Sequence, residues 1–185
     1  MLRQERSAES ELGLEAEKWT REGKLFPDDL ALRVVKHWLD GGRWEGFLLD
    51  GFPRTLGQAQ AFDDALFAHG LKDDLIVLHL DLVESAIRAR VADRLTCCDC
   101  GATFGAAFHK LDESRPCPAC GGMLERRADD TSAALENRLS QYRELTLPVC
   151  EYYQASRRLV KIDASQSREA IHEAIMTSAL AEDEQ

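Results

Sequence analysis

The pattern of the 185 residues points to an α/β fold with a parallel sheet, interrupted by a metal-binding ribbon. Short apolar runs that end on an aspartate alternate with segments of helical periodicity, the signature of strands buried on both faces with helices between them. Two C-x-x-C pairs break that alternation, in a stretch rich in Gly and Pro and poor in periodicity. The length fits one domain, or one domain with a small insert.

Ser10 to Arg21 reads as a helix, with Ser10 as N-cap and Gly23 as its stop. Pro27-Asp28 opens a second helix, whose Leu30, Val34, Val35 and Trp38 keep the 3.6-residue period up to Gly41-Gly42. Phe47-Leu48-Leu49, closed by Asp50-Gly51, reads as a buried parallel strand with a polar residue at its carboxyl end. A helix is expected over 56–68, a second strand over 75–80 closed by Asp81, and a helix over 83–95. The ribbon then occupies 96–124. Long helices resume over 130–155, followed by a third strand over 159–162 and a closing helix to about residue 181. In such sheets ligands bind at the carboxyl ends of the strands, where Asp50 and Asp81 stand.

Hydrophobic residues make up 44% and charged residues 30%, a balance that supports a core and argues against wholesale disorder. The net charge of −10 argues against a nucleic-acid backbone binder, which needs a surplus of Lys and Arg. No apolar run approaches the roughly 18 residues of a membrane span, and MLRQERSAES lacks a signal peptide's hydrophobic stretch. The expectation is a soluble, cytoplasmic protein.

Four of the six cysteines form the pairs Cys97/Cys100 and Cys117/Cys120, with sixteen residues between them. Glycines trail both pairs, at Gly101 and at Gly121-Gly122, and permit the positive φ that metal knuckles require. This is the pattern of a tetrahedral Zn²⁺ site, with a redox dithiol or scattered core cysteines as the alternatives. Cys150, in an apolar helical stretch, is expected to be a packed thiol, and Cys98 sits beside a ligand.

The stretch Gly46-Phe47-Leu48-Leu49-Asp50-Gly51-Phe52-Pro53-Arg54-Thr55, followed by Gln58, carries the most chemistry. With it go Arg3, Gly23-Lys24-Leu25, Arg90 and Arg94 before the ribbon, and Arg126-Arg127-Ala128-Asp129-Asp130 with Arg138 after it. Phosphoryl transfer between two nucleotides brings polyanions together, so it needs arginines converging from several parts of a chain. Together these motifs resemble the adenylate kinases, in the bacterial long form whose lid carries a zinc ribbon, and the resemblance spans essentially the whole chain. It implies a P-loop-kinase-like three-layer αβα fold with a zinc-ribbon lid at 94–129, a core at 27–93 and 130–185, and an AMP-binding segment at 1–26.

The resemblance also implies a monomeric phosphotransferase acting on ATP, AMP and ADP, with structural Zn²⁺ and with Mg²⁺ carried by ATP. On the AMP side it implies Arg3, Arg54 and Arg138 at the phosphate, Arg127 across the lid, and Lys24, Leu25, Phe26, Gly51, Phe52 and Pro53 along the nucleotide. Gln58 would read adenine. On the ATP side it implies Arg90, Arg94, Thr103, Phe104 and Gln166, with Asp50 orienting water on Mg²⁺. Asp129 and Asp130 would pair with arginines, or Asp130 would cap the helix that follows it.

The sequence also departs from that family. No G-x-x-x-x-G-K-[ST] occurs, because the only Gly-Lys is followed by Leu25. The family's first strand, P-loop and second strand have no counterpart here, so Phe47 to Leu49 is expected to lose a pairing partner. Asp93 stands where a hinge glycine is usual, and Leu95 where a second arginine is usual. Two further readings therefore stay open: a non-catalytic AMP-binding remnant, and a zinc-ribbon interaction module. The second is weakened by the charges between Arg94 and Arg127, where five basic residues face four acidic ones and a Zn(Cys)₄ centre adds further negative charge.

Overall fold

The computed structural model describes residues 14–15, 27–44, 46–71, 74–127 and 130–180. Arg3, Lys24, Leu25, Phe26 and Asp129 lie outside them. So does the helix expected from Ser10 to Arg21, apart from Leu14 and Glu15, which are helical. The chain divides into two compact units: Met1–Val77 with Tyr142–Leu159, and Leu78–Gln141 with Val160–Gln185.

In the first unit, α1 (Asp28–Asp40) starts after Pro27 with Asp28 and Asp29 in its first turn, where carboxylates complement the helix dipole. Its inner face buries Leu30, Val34, Val35 and Leu39, and the expected Trp38 packs at the margin of the same core. Next, α2 (Leu56–Ala68) is capped by Thr55, whose hydroxyl accepts the Gln58 N–H at 3.1 Å. Val35, Leu39, Phe62 and Leu66 form one core cluster. Ala59, Val149 and Tyr153 form a second, which joins α2 to the helix over Leu147–Ala155.

Phe47 to Leu49 is a correction to the expected order of elements. The segment forms no strand, and Leu48 is 85% exposed while Phe47 and Leu49 pack on the α1–α2 core. A strand is defined by its ladder, and among the described residues no neighbouring strand pairs with these three.

Two strands, β1 (Val77–Asp81) and β5 (Leu159–Asp163), pair side by side, and all but their first residues belong to the second unit. Val77 N–H donates to Arg158 O at one end, and Ala164 N–H donates to Asp81 O at the other, so the strands run parallel. Between them in sequence come α3 (Glu84–Ala92) and the ribbon, a three-stranded antiparallel sheet in the order β3-β2-β4. Its strands are β2 (Arg94–Cys97), β3 (Thr103–Gly105) and β4 (Leu124–Glu125), with a short helix α4 (Ala106–His109).

The helix expected to reach residue 95 ends at Ala92, because Arg94 and Leu95 are already in β2, in register with Gly105 and Phe104. Leu95 is buried with Cys97, Cys117 and Leu124, against Phe104, Ala106 and Leu111. A leucine therefore suits this position: it is the centre of the ribbon's own core.

The long helical stretch after residue 130 is also divided. It runs as α5 (Ser132–Gln141), a π-type turn at Tyr142–Thr146, and α6 (Leu147–Ala155). Pro148, in the first turn of α6, has no N–H for an i→i−4 bond, so a continuous α ladder cannot pass through it. A final helix, α7 (Arg168–Leu180), closes the described chain. No helix among the described residues is long and apolar enough to cross a membrane.

Candidate active site and metal centre

The turn between Asp50 and Gln58 is built around backbone geometry. Gly51 has φ +76°, a backbone conformation that side chains rarely adopt, so this turn favours glycine. Arg54 folds back and donates from Nε to Gly51 O at 2.7 Å, and the residue is exposed. Its own N–H donates to Gln58 Oε1 at 2.8 Å, and its carbonyl accepts the Thr146 hydroxyl at 3.1 Å. Phe52 and Pro53 are half-buried, with Phe52 edge-on to Phe62, and Asp50 is exposed.

Gln58 is not a solvated helix residue. It is 5% exposed, and its amide is held at both ends: Oε1 by Arg54 N–H, and Nε2 by donation to Asp28 Oδ1 at 3.0 Å.

In the second unit, three of the expected arginines are engaged by protein acceptors. Arg90 donates to Ala164 O at 2.7 Å. Arg94 reaches Asp130 with both Nε, at 2.8 Å, and Nη2. Arg127 donates to the hydroxyls of Thr96 at 3.1 Å and Thr103 at 3.4 Å. Arg138 lies 3.6 Å from the same Asp130 carboxylate. That carboxyl is 5% exposed and sits below the usual range, first because Arg94 hydrogen-bonds it and then through the charges of Arg94, Arg138 and Arg127. The cap of α5 comes instead from Thr131, whose hydroxyl accepts the Ala134 N–H at 3.2 Å. Asp130 thus serves as the acid that gathers arginines.

The β5–α7 turn that carries Gln166 is organised by Asp163. Its carboxylate accepts Gln166 Nε2 and the Ser165 N–H, each at 2.8 Å, and those bonds hold its pKa down at about 2. Phe104 is half-buried in the ribbon core beside the exposed Thr103. Sequence reasoning missed Asp28, Thr146 and Asp163. Asp163 had a signal, since it ends a strand as Asp81 does. Asp28 had none, because its partner is thirty positions away.

The four ribbon cysteines form a candidate metal centre. Their sulfurs all lie within 4.8 Å of one another, with Cys97–Cys120 at 3.4 Å and Cys100–Cys117 at 3.8 Å. A tetrahedron with Zn–S bonds of about 2.3 Å has sulfur–sulfur edges of about 3.8 Å, so the cluster could hold one such ion. Two equivalent turns shape it: Gly101 N–H donates to Cys97 O and Gly121 N–H to Cys117 O, with φ +71° and +79° at the glycines. Hydrogen bonds among the thiols and from the backbone spread their ionisation apart. Cys97 is drawn down to about 7, chiefly by the Cys100 backbone N–H. Cys120, despite the Gly122 N–H, is pushed up to about 12 by the surrounding thiols of Cys100, Cys97 and Cys117. Cys98 is exposed, and Cys150 is partly buried in α6.

A sequence model of the family described as "Adenylate kinase" matches residues 1–158. The chain belongs to the adenylate kinase family. An adenylate kinase of Hydrogenobaculum sp. is 36% identical over 173 residues, 94% of this chain and 82% of the relative. One of Desulforudis audaxviator is 40% identical over 171 residues, 90% of this chain and 78% of the relative. Another, of Syntrophomonas wolfei, is 38% identical over 157 residues, 84% and 73% of the two chains. Adenylate kinases are phosphotransferases with a P-loop-kinase-like α/β fold, and the parallel β1–β5 pair with its flanking helices agrees with that class. Nucleoside monophosphate kinase chemistry is thus the activity to which the family assigns the chain.

Proposed function

We propose that the protein transfers a phosphoryl group between adenine nucleotides, ATP + AMP ⇌ 2 ADP. The observation that carries this reading is the Asp50–Gln58 turn, where an exposed arginine and a buried, oriented amide are fixed four residues apart. A guanidinium suits the acceptor's phosphate and an amide suits its base. An AMP phosphate oxygen attacks the γ-phosphorus of ATP as the bond to the β–γ bridging oxygen breaks. The charge that spreads over the transferring oxygens calls for cations held in place beforehand.

On this reading Arg54, with Arg3 and Arg138, takes the AMP phosphate, and Arg127 adds to it from the ribbon. Gln58 reads adenine, while Lys24, Leu25, Phe26, Gly51, Phe52 and Pro53 line the nucleotide. Arg90, Arg94, Thr103, Phe104 and Gln166 serve ATP, which arrives with Mg²⁺, and Asp50 orients the magnesium's waters. The Cys₄ centre holds one structural Zn²⁺ and fixes the ribbon, residues 94–129, as a lid. A monomer in the cytosol, where the thiols stay reduced, fits the rest.

Within residues 1–185 no G-x-x-x-x-G-K-[ST] is present to grip the β- and γ-phosphates. That observation favours a second reading, AMP binding with little turnover. The test measures equilibrium binding of AMP, CMP and UMP to this chain together with ADP formation from ATP and AMP. AMP binding that is no tighter than that of CMP or UMP would sink the proposal. AMP selectivity with turnover several orders of magnitude below the relatives' would select the second reading. Comparable turnover would select the first, with a different phosphate cradle.

A further inference from the structure

Gln58 can discriminate bases only if its amide is prevented from turning over. A carboxamide has an acceptor end and a donor end of nearly equal size, and rotating it by half a turn exchanges them. With Oε1 presented to position 6 of a purine it accepts the adenine amino group. With Nε2 presented there, it serves equally well the 6-oxo group of hypoxanthine or guanine. A free amide therefore reads a purine without telling a 6-amino from a 6-oxo base.

We propose that Asp28 is the positioning residue that removes this ambiguity, locking the Gln58 amide in the orientation that selects a 6-aminopurine. The inference rests on the reading of Gln58 as the base reader. Three observations converge on it. Asp28 Oδ1 accepts from Gln58 Nε2 at 3.0 Å, and a carboxylate can only accept, so the nitrogen must face it. At the other end Arg54 N–H, which can only donate, is 2.8 Å from Oε1. Turning the amide would set oxygen against carboxylate and N–H against N–H, breaking two hydrogen bonds at a side chain only 5% exposed.

The locked amide keeps one unused lone pair on Oε1 and one unused proton on Nε2. These complement the amino donor and adjacent ring-nitrogen acceptor of adenine. A 6-oxo base would place its oxygen against Oε1. Asp28 is itself well seated for the task. It occupies the first turn of α1, where the helix N-terminus favours a negative charge. Its other oxygen, Oδ2, lies against Gly57, where a Cβ would stand only 2.7 Å away.

The test titrates the 185-residue chain and its variants with AMP and with IMP, the 6-oxo counterpart, and reads the ratio of the two affinities. Asp28→Asn keeps the shape but offers either a donor or an acceptor, so both amide orientations become available. The AMP-to-IMP ratio should fall at least about tenfold, the loss of roughly one hydrogen bond's discrimination, mainly through tighter IMP binding. Asp28→Ala, a second route to the same loss, should shift the ratio in the same direction. Gln58→Ala should abolish the preference, and adding Asp28→Asn to it should change nothing further. An unchanged ratio in both Asp28 variants, or AMP and IMP weakened alike, would overturn the lock while leaving Gln58 as the reader. A Gln58→Ala variant that keeps the preference, or an unsubstituted chain that binds AMP no better than IMP, would overturn the reading beneath it.

Discussion

Asp63 is the residue on which the first unit's stability should depend most. It lies on the inner face of α2, 4% exposed, and its carboxylate is the common acceptor of four donors. The Tyr152 hydroxyl donates at 2.8 Å, the Tyr153 hydroxyl at 3.3 Å, and Arg158 donates from Nη1 at 3.0 Å and from Nη2. Arg158, with a side chain 12% exposed, also lies 4.9 Å over the Tyr153 ring. Asp63→Ala would strand a largely buried guanidinium, the buried Tyr153 hydroxyl and the half-buried Tyr152 hydroxyl, so a loss of about 3–5 kcal/mol is expected, the range for removing one partner of a buried pair. Asp63→Leu combined with Arg158→Met removes the charges together and should recover most of that loss, since the pair's attraction largely offsets its own desolvation. Urea unfolding followed by circular dichroism reads both, as a shift in midpoint at constant slope. A single substitution costing under about 1 kcal/mol, or a double variant no better than the single, would refute the reasoning. The tyrosines add a pH signature. The Asp63 hydrogen bond raises Tyr152, and burial, then the Asp63 charge, raises Tyr153. Folding thus favours their protonated forms, so this stabilisation is complete below the ordinary tyrosine value of about 10 and declines above it.

Metal analysis should find one zinc per chain, and Cys117→Ser should lower that content sharply; zinc unchanged in this variant would contradict the tetrahedral site. Arg54→Ala should weaken AMP binding by about 1.5–3 kcal/mol, the range for a charge-assisted partner, without a matching loss for adenosine; calorimetry with both ligands separates the phosphate from the base. Asp130, whose pKa is lowered first by the Arg94 hydrogen bond, contributes stability that is present above the unfolded carboxylate value of about 4 and is lost as pH falls through its lower folded value. Asp130→Asn should flatten that acid limb of the stability curve, and an acid limb identical to that of the unsubstituted chain would count against the Arg94 pair.

What the sequence revealed depended on how far each feature reached along the chain. The helix begun at Pro27-Asp28 and the one over 56–68 were legible because their periodicity and caps are local. The cysteine knuckles were legible because ligand spacing and glycine placement are local too. Phe47 to Leu49 misled, since an apolar triplet becomes a strand only when another strand supplies its ladder. Leu95 looked like the end of a helix and is instead the centre of the ribbon core, a role fixed by Leu124 nearly thirty positions later. The break between α5 and α6 had a visible cause in Pro148, but helical composition on both sides concealed it. Asp28 with Gln58, and Asp63 with Arg158, are pairs joined only by folding, and no local pattern marks them.

On the proposed reading, the partners of Arg54, Arg90, Arg94 and Arg127 in the folded chain also sort them by what a nucleotide would have to displace. Arg54 and Arg90 donate to the backbone carbonyls of Gly51 and Ala164, and Arg127 donates to threonine hydroxyls. Those acceptors are neutral. A phosphate oxygen makes a charge-assisted bond roughly twice as strong, so exchanging one for the other is favourable. The neutral contacts meanwhile hold each guanidinium in place and reduce the entropy lost on binding. Arg94 differs, because its partner is the carboxylate of Asp130, held at two nitrogens and nearly out of solvent. Giving that bond to a phosphate would strand a buried negative charge beside another anion, unless Arg138, 3.6 Å away, took it over. On the proposed reading Asp130 would therefore couple two arginines: were a phosphate to withdraw one, the other would stand near enough to keep the carboxylate neutralised.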